Sequence, residues 1–325
     1  MRTMLAAALM LIACGPAGRT NGDDDDGGTP DAANPPPMCD GDQCVTSCPE
    51  GSTDLVYVLD RNNHLHSFDP RLLATGAPYD SFVDLGELDC PHSRWPIDGS
   101  TDEVTPMSMS VDRSGNAWVH YTSGEIFRVK ISDLSTCATT NYAPGQANMD
   151  LFGMGFVSET SGAQTEKLYI AGGDLFASPG GDLAVIDTAG SPPTATRLGR
   201  LTTQGEHSPE LTGTGGGELW GFYPGIDTAW VQQIDRATGA PTGTRHDIPN
   251  GLGGLGATPS VVAWAFAQWG GVFYIFATTT PGDPFPPNST LRTIDGTGAY
   301  QLRLEQMPWV IVGAGVSTCA PYVVL

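Results

Sequence analysis

The sequence predicts an all-β chain whose folded part, residues 54–325, is a single β-propeller of five blades, with six as the alternative count. Three observations carry that expectation. Apolar runs closed by an aspartate recur as HLHSFD to Asp69, FRVKISD to Asp133, LAVID to Asp187, VQQID to Asp235 and LRTID to Asp295, at steps of 64, 54, 48 and 60 residues. Ahead of each lies a second run rich in β-branched and aromatic residues, and ahead of four of those a third. A period near 50 residues with about four short strands per unit is the pattern of blades set around a channel. The fifth member of the third set is missing before residue 54 and reappears at the C-terminus as WVIVGAGVST. Residues 310–318 would then complete the blade begun by residues 54–89 and close the ring from both chain ends.

The N-terminus, MRTMLAAALMLIACGPAG, sets Arg2 and the terminal amine before an apolar stretch from Met4 to Ala13. That is shorter than the roughly 20 residues a spanning helix needs, and it has the layout of a secretory signal, residues 1–13. Leu11, Ile12, Ala13 and Cys14 resemble the bacterial lipobox. The resemblance implies that Cys14 becomes an acylated N-terminus, the acyl lipid being the only non-protein group expected. Gly15, and not Asp, stands at the position after it, which by the sorting rule of Gram-negative lipoproteins implies the outer membrane, facing the periplasm or the cell surface.

Residues 14–53 are expected to be an acidic, solvated tether, because a segment rich in Gly, Pro and Asp buries too little apolar surface to offset its ordering entropy. The consecutive acids Asp23, Asp24, Asp25 and Asp26 lack the spacing of a calcium loop. The chain has 15 Lys plus Arg against 36 Asp plus Glu, so nucleic acid and anionic membrane surfaces are poor partners. Six cysteines remain beside Cys14: Cys39, Cys44, Cys48, Cys90, Cys137 and Cys319. An even number in an exported chain fits three disulfides. A zinc site at Cys39, Cys44 and Cys48 has no nearby fourth ligand. Ring closure brings Cys48 to Cys319, leaving Cys39 with Cys44 and Cys90 with Cys137.

Along the propeller, DLVYVLD and HLHSFD open blade one, followed by the turn ATGAP and an outer strand near YDSFVDLGEL. The same ATGAP recurs at 237–241 in blade four, ahead of GTRHDI, where glycine is expected to supply a positive φ. Blades two, three and four begin with PMSMSVD, FGMGFVS and PELTGTG. In blade five, VVAWAFAQWGGVFYIFA could suggest a membrane helix, but Gln268, Gly270 and Gly271 interrupt it and its Val and aromatic content favours two buried strands.

Blade two reads SVDRSGNAWVHYTSGEIFRVKI, and its Asp112, Gly115, Asn116 and Trp118 carry a resemblance to the repeats of NHL-type, streptogramin-lyase-type and two-component-regulator-type propellers. In those families these residues build the turn between the first two strands, so the resemblance implies a fold and no catalytic residue.

No catalytic set or metal site is expected. Two carboxyls at one mouth would suggest a glycosidase. Of the acids on the inner strands, Asp112 and Glu159 close theirs whereas Glu210 opens its own, which places them at opposite channel ends in turn or rim roles. No G-x-S-x-G, H-E-x-x-H or Walker motif is present, and the glycine cluster at 251–256 reads as a loop between blades. His64 and His66 share a strand face without a third ligand and are expected to face solvent. The sequence therefore points to an anchored binding or scaffold module for a protein or polysaccharide ligand, with a carbohydrate binder or polysaccharide-active enzyme as the alternative. The candidate binding loops are 91–103, with Arg94 and Trp95, and 279–290, with Phe285.

Overall fold

A computed structural model describes residues 48, 54–77, 79–173, 181–201, 208–224, 228–248, 252, 261–279 and 289–323. The chain divides into two units, Met1–Pro36 and Pro37–Leu325, and every described residue belongs to the second. Blade one holds β1 (Val56–Asp60), β2 (His64–Phe68) and β3 (Phe82–Glu87); blade two holds β4 (Pro106–Val111), β5 (Asn116–Tyr121), β6 (Ile126–Lys130) and β7 (Asp133–Thr139). Blade three holds β8 (Leu151–Ser158), β9 (Glu166–Gly173), β10 (Asp182–Asp187) and β11 (Thr194–Arg200); blade four holds β12 (Glu210–Gly213), β13 (Leu219–Tyr223), β14 (Trp230–Ile234) and β15 (Pro241–Asp247). Blade five holds β16 (Val261–Trp269), β17 (Val272–Thr279), β18 (Ser289–Asp295) and β19 (Tyr300–Leu304), and β20 (Ile311–Val316) follows. Each blade is a four-stranded antiparallel sheet, and β20 is the inner strand of blade one, in the order β20-β1-β2-β3. It pairs with β1 in the register Tyr57↔Gly315, so five blades close through both chain ends as the sequence predicts.

The core lies between the blades because strand side chains alternate. On β1, Val56 and Val58 pack with Phe276 and Leu291 of blade five, whereas Tyr57 and Leu59 pack with Val111 and Val119 of blade two. Three further clusters fill the other interfaces in the same way. Each fully buried Phe, such as Phe68, Phe222 or Phe266, contributes about 1.5–3 kcal/mol by leaving water. The run at 261–277 is two strands turned at Gly270 and Gly271, whose φ values are 57° and 73°. Among the described residues no helix is long and apolar enough to cross a membrane.

The recurring aspartates have a mechanical reason. Each sits where the third strand hands over to the outer one, and its carboxylate accepts N–H groups of the turn: Arg71 on Asp69 at 3.0 Å, Ala189 on Asp187 at 3.1 Å, Thr238 on Asp235 at 2.8 Å and Thr297 on Asp295 at 2.8 Å. Asp133 does the same for Ser135, although it opens β7 and does not close β6. The two copies of ATGAP differ. Gly239 has φ 78° and its N–H reaches the Asp235 carbonyl, as expected. Gly76 is absent from the positive-φ glycines, which corrects the expectation: its N–H closes a 3-10 turn, Pro70–Ala74, onto Leu72. Pro78 lies outside the described residues.

Candidate ligand-binding mouth

The five inner strands β4, β8, β12, β16 and β20 form a ring, each against the next. Close approach needs glycine: a Cβ on Gly153 would stand 2.7 Å from Glu210 Cα, and one on Gly313 3.0 Å from Met109 Cβ. The inward edge of each sheet would leave N–H groups unpaired, and neighbouring side chains take them. Ser108 Oγ accepts from Met154 N at 3.1 Å, Ser110 Oγ from Phe156 N at 2.9 Å, and Thr212 Oγ1 from Gln268 N at 3.1 Å.

At the end where all five inner strands begin, the ring opens into a cavity of about 250 Å³. Met107, Leu151, Val262, Trp264 and Val312 make its walls, and Arg61 and Thr122 stand on the turns beside it. Glu210 is the only acid lining it among the described residues. The side chain is 3% exposed. Ser108 Oγ donates to its Oε1 at 2.5 Å and Met154 N approaches at 3.4 Å. Burial pushes this carboxyl up to about 8, against the smaller lowering by Ser108, Met154 and Leu211 donors, so it is mostly protonated at neutral pH. The rim role read from the sequence is therefore corrected: Glu210 belongs to the inner wall.

The other end of the ring is crossed by the C-terminal segment. Cys319 is bonded to Cys48, Gly270 N donates to Pro321 O at 2.7 Å, Gln268 Nε2 to Tyr322 O at 2.9 Å, and the Tyr322 hydroxyl lies 3.3 Å from Ser161 Oγ. The segment thus passes from blade one over blades five and three. Beneath it, Arg113 N and Thr318 Oγ1 both donate to the Glu166 carboxyl at 2.7 Å, and burial raises that acid to about 7. Asp112 and Glu159 also lie at this end. Asp112 accepts from Asn116 N at 2.9 Å and Trp118 Nε1 at 3.0 Å, and Glu159 pairs with Lys167 at 2.8 Å. No two of the three acids named from the sequence share the Glu210 mouth.

The histidines behave differently from expectation. His66 is fully buried, against Trp309 at 4.4 Å, with Nε2 3.3 Å from Asp60 Oδ2, while half-exposed His64 reaches Asp84 at 3.1 Å. Asp60 accepts from Asn62 N at 2.8 Å and His64 N at 3.0 Å, and Asn63 has φ 67°. DRNNHLH therefore forms the same turn as DRSGNAW, with His66 in the place of Trp118. Matching the two heptapeptides would have shown this. Among the described residues no group of three His, Cys, Asp or Glu side chains is placed to hold a metal. His120 is buried, neither of its ring nitrogens has a hydrogen-bond partner among the described residues, and burial lowers it to about 3.

Arg94 and Trp95 are exposed, Trp95 by 69%, so Trp95 does not cover its loop base. Their loop docks on blade two through Ile97 N to Thr122 O at 2.8 Å and Ser93 N to Glu125 at 2.8 Å, beside the mouth but outside its lining. Phe285, Cys14, Cys39 and Cys44 lie outside the described residues. The disulfides Cys48–Cys319 and Cys90–Cys137 form as the ring closure predicts. Arg61, just past the end of β1, and Trp264, within β16, were missed because a periodic pattern marks strands and not which of their side chains meet at the mouth.

No family model matches the chain, and no curated protein is similar to it in sequence. Among solved structures it is similar to the endo-arabinase from Bacteroides thetaiotaomicron VPI-5482, at TM-score 0.42 and 13% identity over 70% of this chain and 83% of that one. It is similar to the native Bacillus subtilis arabinanase Arb43A, at TM-score 0.37 and 15% identity over 63% and 78% of the two chains. The Dos1 propeller is matched at TM-score 0.37 and 12% identity, over 81% of this chain and 71% of that one. Similarity at this level assigns neither substrate nor activity.

Proposed function

We propose that the protein is an outer-membrane lipoprotein, held through acylated Cys14 and the acidic tether, whose propeller binds a small ligand in the Glu210 mouth. The observation that supports binding is the cavity itself. All five inner strands and two turns converge on it, its walls are apolar, and one buried carboxyl stands in it. Its volume of about 250 Å³ falls near the small end of ligand sites, which suits a compact molecule or a single protruding group of a larger protein or polysaccharide. A two-carboxylate hydrolase is the weaker reading, since the described lining supplies a single acid.

Both halves are testable. Radioactive fatty acid should label the wild type and not Cys14→Ala; a labelled, membrane-bound mutant would remove the anchor. For binding, a panel of monosaccharides, amines, carboxylic acids and nucleosides should contain a class that raises Tm by mass action. Val262→Trp, which fills the mouth, should abolish that shift. A panel without effect, or a shift that survives Val262→Trp, refutes the mouth as the site.

A further inference from the structure

Glu210 is the only ionisable side chain on the five inner strands, PMSMSV, LFGMGFVS, ELTG, VVAWAFAQW and IVGAGV. It is buried, and its contacts are Ser108 Oγ, Met154 N and Leu211 N, none of them charged. From the elements packed against it, β4 presents Ser108, β8 a backbone N–H, β16 Val262 and Trp264, and β20 Val312. Among the described residues Arg61, exposed on its turn, is the other ionisable group lining the cavity. A carboxylate among apolar walls without a countercharge is costly, and a ligand that brings the countercharge removes the cost.

Resting on the reading of the mouth as a ligand site, we infer that it takes a small organic ammonium ion. The ligand is a primary amine with an apolar body, its ammonium group on the Glu210 carboxylate and its body against Trp264 and Val262. Three further features fit this class. An ammonium group has three donors for the carboxylate oxygens. An indole wall attracts a cation by its ring quadrupole. The net charge of −21 concentrates cations around the protein. Arg61 at the entrance disfavours a second positive charge at the outer end, so a monoamine is selected over a diamine.

Proton balance supplies the test. The ligand enters with its ammonium protons intact, and the carboxyl proton of Glu210 leaves to solvent. With that carboxyl raised to about 8 in the free protein, binding at pH 7 releases about 0.9 proton, and affinity rises about tenfold from pH 6 to 7 and levels above pH 8. Calorimetry of the wild type in buffers of different ionisation enthalpy, with 2-phenylethylamine, the neutral isostere 2-phenylethanol and N-acetyl-lysine amide, reads both quantities. Binding by either amine with proton release supports the inference, and the tighter of the two says whether the ammonium comes from a free amine or a lysine side chain. Glu210→Gln should weaken the amine at least about tenfold at pH 8 and flatten its pH profile. Failure of both amines to bind, equal binding of the alcohol, or amine binding with no proton released overturns it. If a neutral panel member binds and Val262→Trp blocks it while both amines fail, the ammonium ligand is refuted and the mouth site stands.

Discussion

Glu210 is held in the inner wall by donors from blades two and three, Ser108 Oγ at 2.5 Å and Met154 N at 3.4 Å, and among the described residues no countercharge pairs with it. Its folded value of about 8 lies above the roughly 4.3 of an unfolded glutamate, so between those values the native state keeps a proton that the unfolded state has lost. Stability therefore falls as pH rises through that window. Glu166, raised to about 7, acts in the same direction over a shorter range. Asp235 and Asp295 act oppositely: turn hydrogen bonds from Thr238 and Thr297 lower them, and their contribution is lost in acid as pH falls through their folded values. Glu210→Gln keeps the acceptor for Ser108 and cannot ionise. The variant should match the wild type near pH 5 and exceed it at pH 7 by on the order of 3 kcal/mol in urea unfolding. A variant less stable at pH 7 than at pH 5, relative to wild type, would contradict the assignment of a buried neutral acid.

The third-to-outer hairpins show what a repeated pentapeptide does and does not specify. In blade four, Asp235 accepts from Ala237 N at 2.9 Å and Thr238 N at 2.8 Å, and Gly239 turns the chain at φ 78°. In blade one, Asp69 caps a 3-10 turn and Gly76 keeps an ordinary φ. Gly239→Ala should cost about 1–2 kcal/mol, since an L residue there enters the left-handed region, while Gly76→Ala should stay within about 0.5 kcal/mol. Equal losses in the two variants would show that the turns are alike after all. The blades were legible because alternation, β-branched runs and aspartate turns repeat at every unit, and a repeated signal outweighs any single ambiguous segment. The turn conformations were less so: ATGAP follows PRLL in one copy and DR in the other, and the preceding residues decide the geometry. The candidate site was mostly illegible. Glu210 could be placed on an inner strand, but its burial depends on Gly153 and Ser108 of other blades, and Arg61 and Trp264 meet it only when the ring closes.

Closing a ring from both ends places the whole fold under the control of its last strand. β20 completes blade one, packs its Gly313 and Gly315 against β4 of blade two, and leads into the segment that crosses the end opposite Glu210. Without it, β1 would be an open sheet edge and the inner ring would lack one wall, which invites pairing with another chain. The Cys48–Cys319 bond, separated by 271 positions, holds that strand by limiting the unfolded chain. In the chain-entropy model so long a loop is worth about 5.6 kcal/mol, against about 4 for the 47-position loop of Cys90–Cys137. Cys319→Ser should therefore lower stability by several kcal/mol and lose more than Cys137→Ser, which leaves the ring stapled. It should also expose the inner ring to the tail side, so that amides of β20 exchange hydrogen faster than those of β9 or β17 in the same molecule. A Cys319→Ser protein whose β20 amides remain as protected as those of β9 and β17, with an unchanged urea midpoint, would show that packing alone closes the ring.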